Sequence, residues 1–287
     1  MDNLSWQITE PLDFHWTNEY VFLDAPDEAA SIGAVTDGSS VMAAQFDPQR
    51  SALAVNIDLA PLQSKALRPS DQAPEPTGLR VERLAGAFAL RNRYCSVKLA
   101  ADVCATDAGD RWHVTGPIVS VVGPDGIPRC GSRLEIAKSR YFAHDRAAIG
   151  RVDAAKIAAE ETPPTVRAAI EQAGEVFARY SLSVEMFDGR RYSFQATLYA
   201  HQPVLFVREQ TDLARDGALE FSISENFGCD QYFFGGVGKR GPDVVPIPPY
   251  DYRLGSLSPH HTQSHTAYAL DGLQPVGPPA RLVQGYL

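Results

Sequence analysis

From Val166 to Thr211 apolar and polar residues alternate with period two, the signature of strands that bury one face and leave the other to solvent. In one arm Val176, Ala178, Tyr180, Leu182, Val184 and Met186 alternate with Arg179, Ser181, Ser183 and Glu185. In the next, Tyr192, Phe194, Ala196 and Leu198 alternate with Arg191, Ser193, Gln195 and Thr197. Asp188-Gly189 lies between the two arms and predicts a two-residue hairpin turn, since that pair tolerates the positive φ angles such a turn needs. A third apolar run follows His201-Gln202-Pro203. A long hairpin with one apolar face has to cover it with a second sheet. The region therefore predicts a β-sandwich suited to recognising a large substrate by shape rather than to cofactor chemistry.

The same alternation recurs upstream. Strands are predicted at Tyr20–Asp24, Ser31–Val35, Val41–Phe46, Ala52–Leu59, Leu79–Leu84, Ala87–Leu90, Cys95–Leu99, Trp112–Val114, Ile118–Val122 and Leu134–Ile136. Asp-Gly turns at 37–38, 125–126, 188–189, 216–217 and 271–272 punctuate the chain. Pro61 to Thr77, with Pro69, Pro74 and Pro76, reads as an exposed loop. Asp153–Glu161 is alanine-rich and stops at Thr162-Pro163-Pro164, so it predicts a helix acting as a hinge. Further strand signals follow at Val166–Ile170, Val204–Thr211 and Leu219–Ile223. The expected fold is all-β: a small barrel-like unit over 1–150, then an antiparallel sandwich with Greek-key or meander connections over 151–287. Within the second unit, 227–265 is dense in Gly, Pro, aromatic and His residues and reads as a long irregular loop region. No fixed-length repeat is evident, which argues against a propeller or solenoid.

The 287 residues carry 26 Lys plus Arg against 35 Asp plus Glu, a formal net charge of -9. That balance argues against a nucleic-acid backbone or an anionic membrane as a general partner, while a local basic patch could still meet an acidic polysaccharide. Cys95, Cys104, Cys130 and Cys229 lack metal-site spacing and read as free buried thiols. Met1–Pro11 shows no basic region followed by an apolar run, which favours the cytoplasm or an export signal already removed. Ala280–Leu287 ends on a strand-like segment, an indication that the chain is the front portion of a longer polypeptide.

Three groups invite a chemical reading. Gly235-Gly236-Val237-Gly238-Lys239-Arg240-Gly241 looks like a phosphate loop, but Phe233 and Arg240 stand where a P-loop needs glycine and Ser or Thr. Lys239 and Arg240 are better placed to meet a ligand carboxylate. His260, His261 and His265 could offer two rings to a metal, yet they follow a proline-rich stretch without helical spacing, so substrate-facing hydrogen bonds are the preferred reading and no cofactor is expected. Glu225, Asn226, Asp230 and Tyr232 carry the groups that glycoside hydrolysis or polysaccharide lysis uses, but sequence adjacency sets no spatial separation and surface turns commonly contain such residues. Tyr232 and Tyr250 offer flat faces for sugar rings. The expected substrate-binding set is therefore Tyr232, Lys239, Arg240, Tyr250, His260, His261 and His265.

Thr165-Val166-Arg167-Ala168-Ala169-Ile170-Glu171-Gln172-Ala173-Gly174-Glu175, then Tyr180-Ser181-Leu182, then Leu198–Glu209 with its Tyr199-Ala200-His201-Gln202-Pro203-Val204 core, resembles the front region of exo-rhamnogalacturonan-lyase-like (YetA-like) proteins. The resemblance covers about the second half of the chain. It implies a RIFT-type barrel, a β-sandwich and then an (α/α) toroid that supplies most of the active site. No series of amphipathic helices is present, so no catalytic residue is carried over. The resemblance implies a substrate-facing front portion or accessory module of a polysaccharide-degrading lyase or glycosidase, without turnover of its own. Its expected partners are a poly- or oligosaccharide, with uronate-containing chains fitting best, and a downstream helical domain, with neither nucleic acid nor membrane. Two alternatives stand beside it: a free-standing acidic-glycan-binding protein, and a metal-dependent carbohydrate enzyme using the 260–265 histidines.

Overall fold

The computed structural model describes residues 4–109, 111–138 and 162–211, and the backbone of four later strands at 217–223, 231–235, 243–246 and 265–269. The fold is all-β. The first strands are β1 (Trp6–Thr9), β2 (Trp16–Asp24), β3 (Ala34–Thr36), β4 (Val41–Asp47), β5 (Ala52–Leu59) and β6 (Ser64–Pro69). They form one antiparallel, near-closed, barrel-like sheet in the order β1-β6-β3-β4-β5-β2. Its interior is filled by Leu23, Ile32, Val35, Leu53, Val55, Ile57, Leu59 and Leu67.

Next come β7 (Arg80–Leu84), β8 (Ala87–Arg91), β9 (Ser96–Ala100), β10 (Ala105–Asp107), β11 (Arg111–Val114), β12 (Ile118–Val122) and β13 (Pro128–Ala137). They build a sheet ordered β10-β11-β13-β12-β9-β8-β7, and β18 (Gly217–Ile223) also pairs with β13. Against it packs a meander of β14 (Thr165–Ala173), β15 (Phe177–Glu185), β16 (Arg191–Tyr199) and β17 (Leu205–Thr211). Tyr180, Leu182, Val184, Tyr192, Phe194 and Leu198 meet Leu90, Val97, Leu99, Trp112, Ile118 and Leu134 in one core, the sandwich expected from the alternation. This core draws on both sides of residue 150, while that residue and the predicted helix at 153–161 lie outside the described residues. A small sheet ordered β20-β19-β21 comprises β19 (Gln231–Gly235), β20 (Asp243–Pro246) and β21 (His265–Ala269).

Several local expectations need correction. The stretch read as a loop at 61–77 contains β6, whose single buried side chain, Leu67, fills the barrel although its neighbours are polar or exposed. The strand expected at Ser31–Val35 starts only at Ala34, because Pro26, with φ already near helical values, leads into a 3-10 helix over Asp27–Ser31. The Asp188-Gly189 hairpin has a three-residue loop rather than two. Met186 N–H donates to Arg190 O (2.9 Å) and Gly189 N–H donates to Met186 O (3.0 Å), so a turn over Met186–Gly189 closes on a bulge. Only Gly189 takes positive φ, +83°, and Phe187 is left exposed at the tip.

Polar contacts dock the barrel onto the sandwich. Gln45 Oε1 accepts from the N–H groups of Val176 (3.1 Å) and Phe177 (3.0 Å), while Gln172 Nε2 donates to Phe46 O (3.0 Å). The approach is so close that a Cβ on Gly174 would lie 2.4 Å from Gln45 Oε1, so a side chain there would displace the Gln45 amide from its place. Beside it Arg179 Nη1 and Nη2 donate to Asp47 Oδ1 (2.8 Å) and Oδ2 (2.6 Å) in a buried bidentate pair. Burial pushes the Asp47 carboxyl up, but the hydrogen bonds and charge of Arg179 outweigh it and hold the group below its usual value. Ala54, Val176, Phe177 and Tyr199 complete the junction as a small apolar core.

Two outcomes follow. Replacing Gly189 by Val should lower stability by about 1 kcal/mol or more, because a β-branched residue resists its φ; a chemical denaturation midpoint equal to wild type would contradict the turn geometry. Asp47→Ala should cost about 3 kcal/mol by stranding a buried guanidinium. Since the folded Asp47 value is depressed, its contribution is present above the unfolded carboxyl value of about 4 and is lost as pH falls through the folded value. Acid titration of unfolding free energy should show that loss in wild type and a smaller one in Asp47→Asn, and identical curves would contradict the linkage.

Candidate functional site

The junction leaves two depressions, both bordered by Tyr20, whose ring lies 4.4 Å from that of Tyr199 between centroids. Tyr199 ends β16 and Tyr20 lies in β2, so their contact spans the two units. Tyr20 Oη accepts from the His201 backbone N–H (2.8 Å), and Asn92 Nδ2 donates to both Tyr199 O and Gln202 O (2.8 Å each). The 199–202 segment is thereby clamped from the barrel and from the β8–β9 turn at once.

The larger depression, about 580 Å³, is bordered by Tyr20, Ser40, Asn56, Glu75, Glu175 and His201. Its rim is fixed by Thr77, whose N–H and hydroxyl donate to Glu175 Oε2 (3.0 and 2.9 Å) and whose hydroxyl also reaches Glu175 O (2.6 Å). Burial and then the charge of Arg93 hold the His201 imidazole below its usual value, which favours the neutral ring. Burial pushes the Tyr20 phenol up, so it stays protonated.

The second depression, about 390 Å³, differs in character: Arg50, Phe206 and Arg208 line it with Gln195, Gln202 and Arg179. Phe206 is 46% exposed and meets Tyr199 edge-on with centroids 5.4 Å apart. The Arg50 guanidinium lies 3.9 Å from the Phe22 ring centroid. Glu171 Oε2 accepts from Gln49 Nε2 and Gln195 Nε2 (3.0 Å each), which orders two amides at the rim. Among the described residues Arg179 Nε and Gln202 Oε1 are buried with no hydrogen-bond partner. One is a donor and the other an acceptor, and both residues border this depression. An arrangement of flat ring, cations and ordered amides can bind a polyhydroxylated anion; of the described lining residues only Glu19 carries a carboxyl group.

A phenol–carboxyl pair lies elsewhere, where Tyr192 Oη donates to Glu209 (2.5 Å) and burial pushes the Glu209 carboxyl up. Tyr192 belongs to the sandwich core, so the pair is part of the packing. Among the described residues no three His, Cys, Asp or Glu side chains gather as a metal site.

Of the residues singled out in the sequence, Tyr232 lies in β19, opposite Tyr268, and His265 opens β21, opposite Gly235. Lys239, Arg240, Tyr250, His260 and His261 lie outside the described residues, as do Glu225, Asn226 and Asp230. The groove residues escaped the sequence reading because each occupies an ordinary polar position of a strand or turn. The signal available was Phe206 and Arg208 on the polar side of β17, where Leu205 alone is buried. No protein-family model matches the chain, and no curated protein is significantly similar to it.

Cys95 and Cys130 are buried, with burial pushing both thiols up to about 11, whereas Cys104 is exposed, against the expectation that all would be buried. Mass-spectrometric mapping after alkylation at neutral pH should find Cys104 modified well before Cys95 or Cys130, which should react only on unfolding. Equal rates at the three positions would contradict the packing of β9 and β13.

Proposed function

We propose that this chain is a glycan-recognition module of polysaccharide-degrading machinery and that it holds an acidic oligosaccharide in the groove between Arg50, Phe206 and Arg208. The carrying observation is the exposed Phe206 ring in the same groove as the guanidinium groups of Arg50 and Arg208, with the amides of Gln49 and Gln195 ordered beside them. The apolar face of a pyranose suits the Phe206 ring, and a uronate carboxylate suits the guanidinium groups of Arg50 and Arg208. Glycoside hydrolysis needs two carboxyl groups across the scissile bond, and the described lining supplies one, Glu19, while Glu171 at the rim is engaged by the amides of Gln49 and Gln195. The reading therefore assigns binding to this chain and turnover to a catalytic domain that works with it.

Isothermal titration with oligogalacturonates tests the assignment. Arg208→Ala and Phe206→Ala should each weaken binding on the order of tenfold, the loss expected for a charged hydrogen bond or a stacking face, with little change in melting temperature because both side chains are exposed. Lys239→Ala with Arg240→Ala serves as the contrast. Unchanged affinity in the groove variants together with a loss in the Lys239/Arg240 variant would move the ligand to the 227–265 region and overturn the groove.

A further inference from the structure

The groove is one end of a longer surface on the outer face of the β14–β17 sheet. Cross-strand register places Phe206, Thr197 and Arg179 side by side at the junction, and the next rung away holds Arg208, Gln195, Ser181 and Ala169. Beyond that lie Gln210, Ser193, Ser183 and Arg167, and finally Arg191, Glu185 and Thr165. These residues alternate with the core-facing Tyr192, Phe194, Ala196 and Leu198, so they share the face turned away from the sandwich interior. At the far end a second depression of about 380 Å³ is bordered by Arg167, Ser183, Arg191 and Ser193. Along β16 the face runs eight residue steps, Arg191 to Tyr199, or roughly 27 Å.

Charge distinguishes this face from an ordinary solvated one. Arg50, Arg167, Arg191 and Arg208 stand along it against Glu19, Glu171 and Glu185, an excess of cations on a chain whose formal net charge is -9. Glu185 is engaged by Arg191 (3.0 Å), and Glu171 is occupied in ordering Gln49 and Gln195. The amide oxygens of those two glutamines make no hydrogen bond to protein among the described residues and can accept from a ligand's hydroxyls.

We infer that the ligand is an extended linear acidic glycan, several rings long, lying along β16 so that it engages both depressions at once. One carboxylate meets Arg50 and Arg208, and another, further along the chain, meets Arg167 and Arg191. The inference rests on the glycan-binding reading and adds to it the length and direction of what is bound. Joining the two depressions through one ligand makes the second contact intramolecular, so affinity climbs with chain length until both are filled and then levels off.

Calorimetric titration of the full chain with size-graded oligogalacturonates, from dimer to octamer, reads this directly. Wild type should gain on the order of tenfold or more in affinity between dimer and hexamer, then plateau. Arg167→Ala with Arg191→Ala should bind the dimer like wild type and lose most of that gain. Ser193→Trp, which obstructs the exposed face without entering the core, should produce the same loss by bulk and keeps the test independent of the Arg191–Glu185 pair. A hexamer that binds no tighter than the dimer, or a length gain that survives in both variants, would overturn the extended ligand while leaving the groove in place. Absence of binding at every length would overturn the groove itself and the inference with it.

Discussion

The buried Asp47–Arg179 pair is the contact on which the arrangement of the molecule depends. Removing a carboxylate and a guanidinium from water costs several kcal/mol, and mutual attraction offsets that only when geometry is good and the remaining polar atoms are engaged. Here the pair is bidentate, Gln49 N–H adds a bond to Asp47 Oδ1 (3.1 Å), and Gln172 Oε1 accepts a further bond from Arg179 Nη1 (3.2 Å), which leaves Arg179 Nε as the one atom of the pair without a hydrogen-bond partner among the described residues. A hydrophobic replacement could hold the units together as strongly, but it would tolerate sliding. A forked ion pair, together with the Gln45 amide spanning two successive N–H groups, admits one docking geometry, and the groove walls are set by that geometry.

The consequence is visible along β15 and β16. Away from the junction they alternate, with Ser183 and Ser193 exposed while Leu182 and Phe194 are buried. At the junction burial becomes continuous over Phe177–Tyr180 and Ala196–Tyr199, because the second face now meets the barrel. One sheet face therefore passes from solvent, through a half-covered rim, into a packed interface. That gradient makes a groove with one dry wall, where a charge or hydrogen bond is screened less than on an open sheet. Tyr20 and Tyr199 stand at the transition, and the hydrogen bonds from Asn92 and to Tyr20 Oη keep the 199–202 segment from closing it.

Much of the fold was legible in the alternation because a strand with one buried face writes its period directly into the chain. Ala52–Leu59 has the bounds that pattern implies, and the hairpin arms around Gly189 differ from theirs by one residue at an end. The misses have local causes. β6 has one buried side chain, so it offers no pattern to count, and Pro69 at its end, with Pro61, Pro74 and Pro76 on either side, resembles loop chemistry. The hairpin loop gained a residue because Asp188-Gly189 can close either a two-residue turn or a longer turn with a bulge, and the choice lies in the pairing of Met186 with Arg190. Alternation also says which residues are buried and not what buries them: Leu90 and Leu182 share one core although the chain between them exceeds a typical strand–turn–strand unit.

The candidate groove was hidden for a different reason. A reading from composition looks for clusters, and it found Gly, aromatic and His residues between 227 and 265. The groove instead takes Arg50 from the turn after β4, Gln202 from the clamped 199–202 segment and Phe206 and Arg208 from an outer strand, positions far apart in the chain that look like solvated polar sites one at a time. What joins them is register, which pairs Gln195 with Arg208 and Thr197 with Phe206, and docking, which brings Arg50 over Phe22 beside them. Docking itself relies on Asp47, an acid at the end of a strand that nothing in its neighbours marks as buried. A charged residue becomes informative only once its burial is known, since a buried carboxylate must have found its cation. Identifying the partner as Arg179, 132 residues away, turns two separate β patterns into one surface with a cationic track across it.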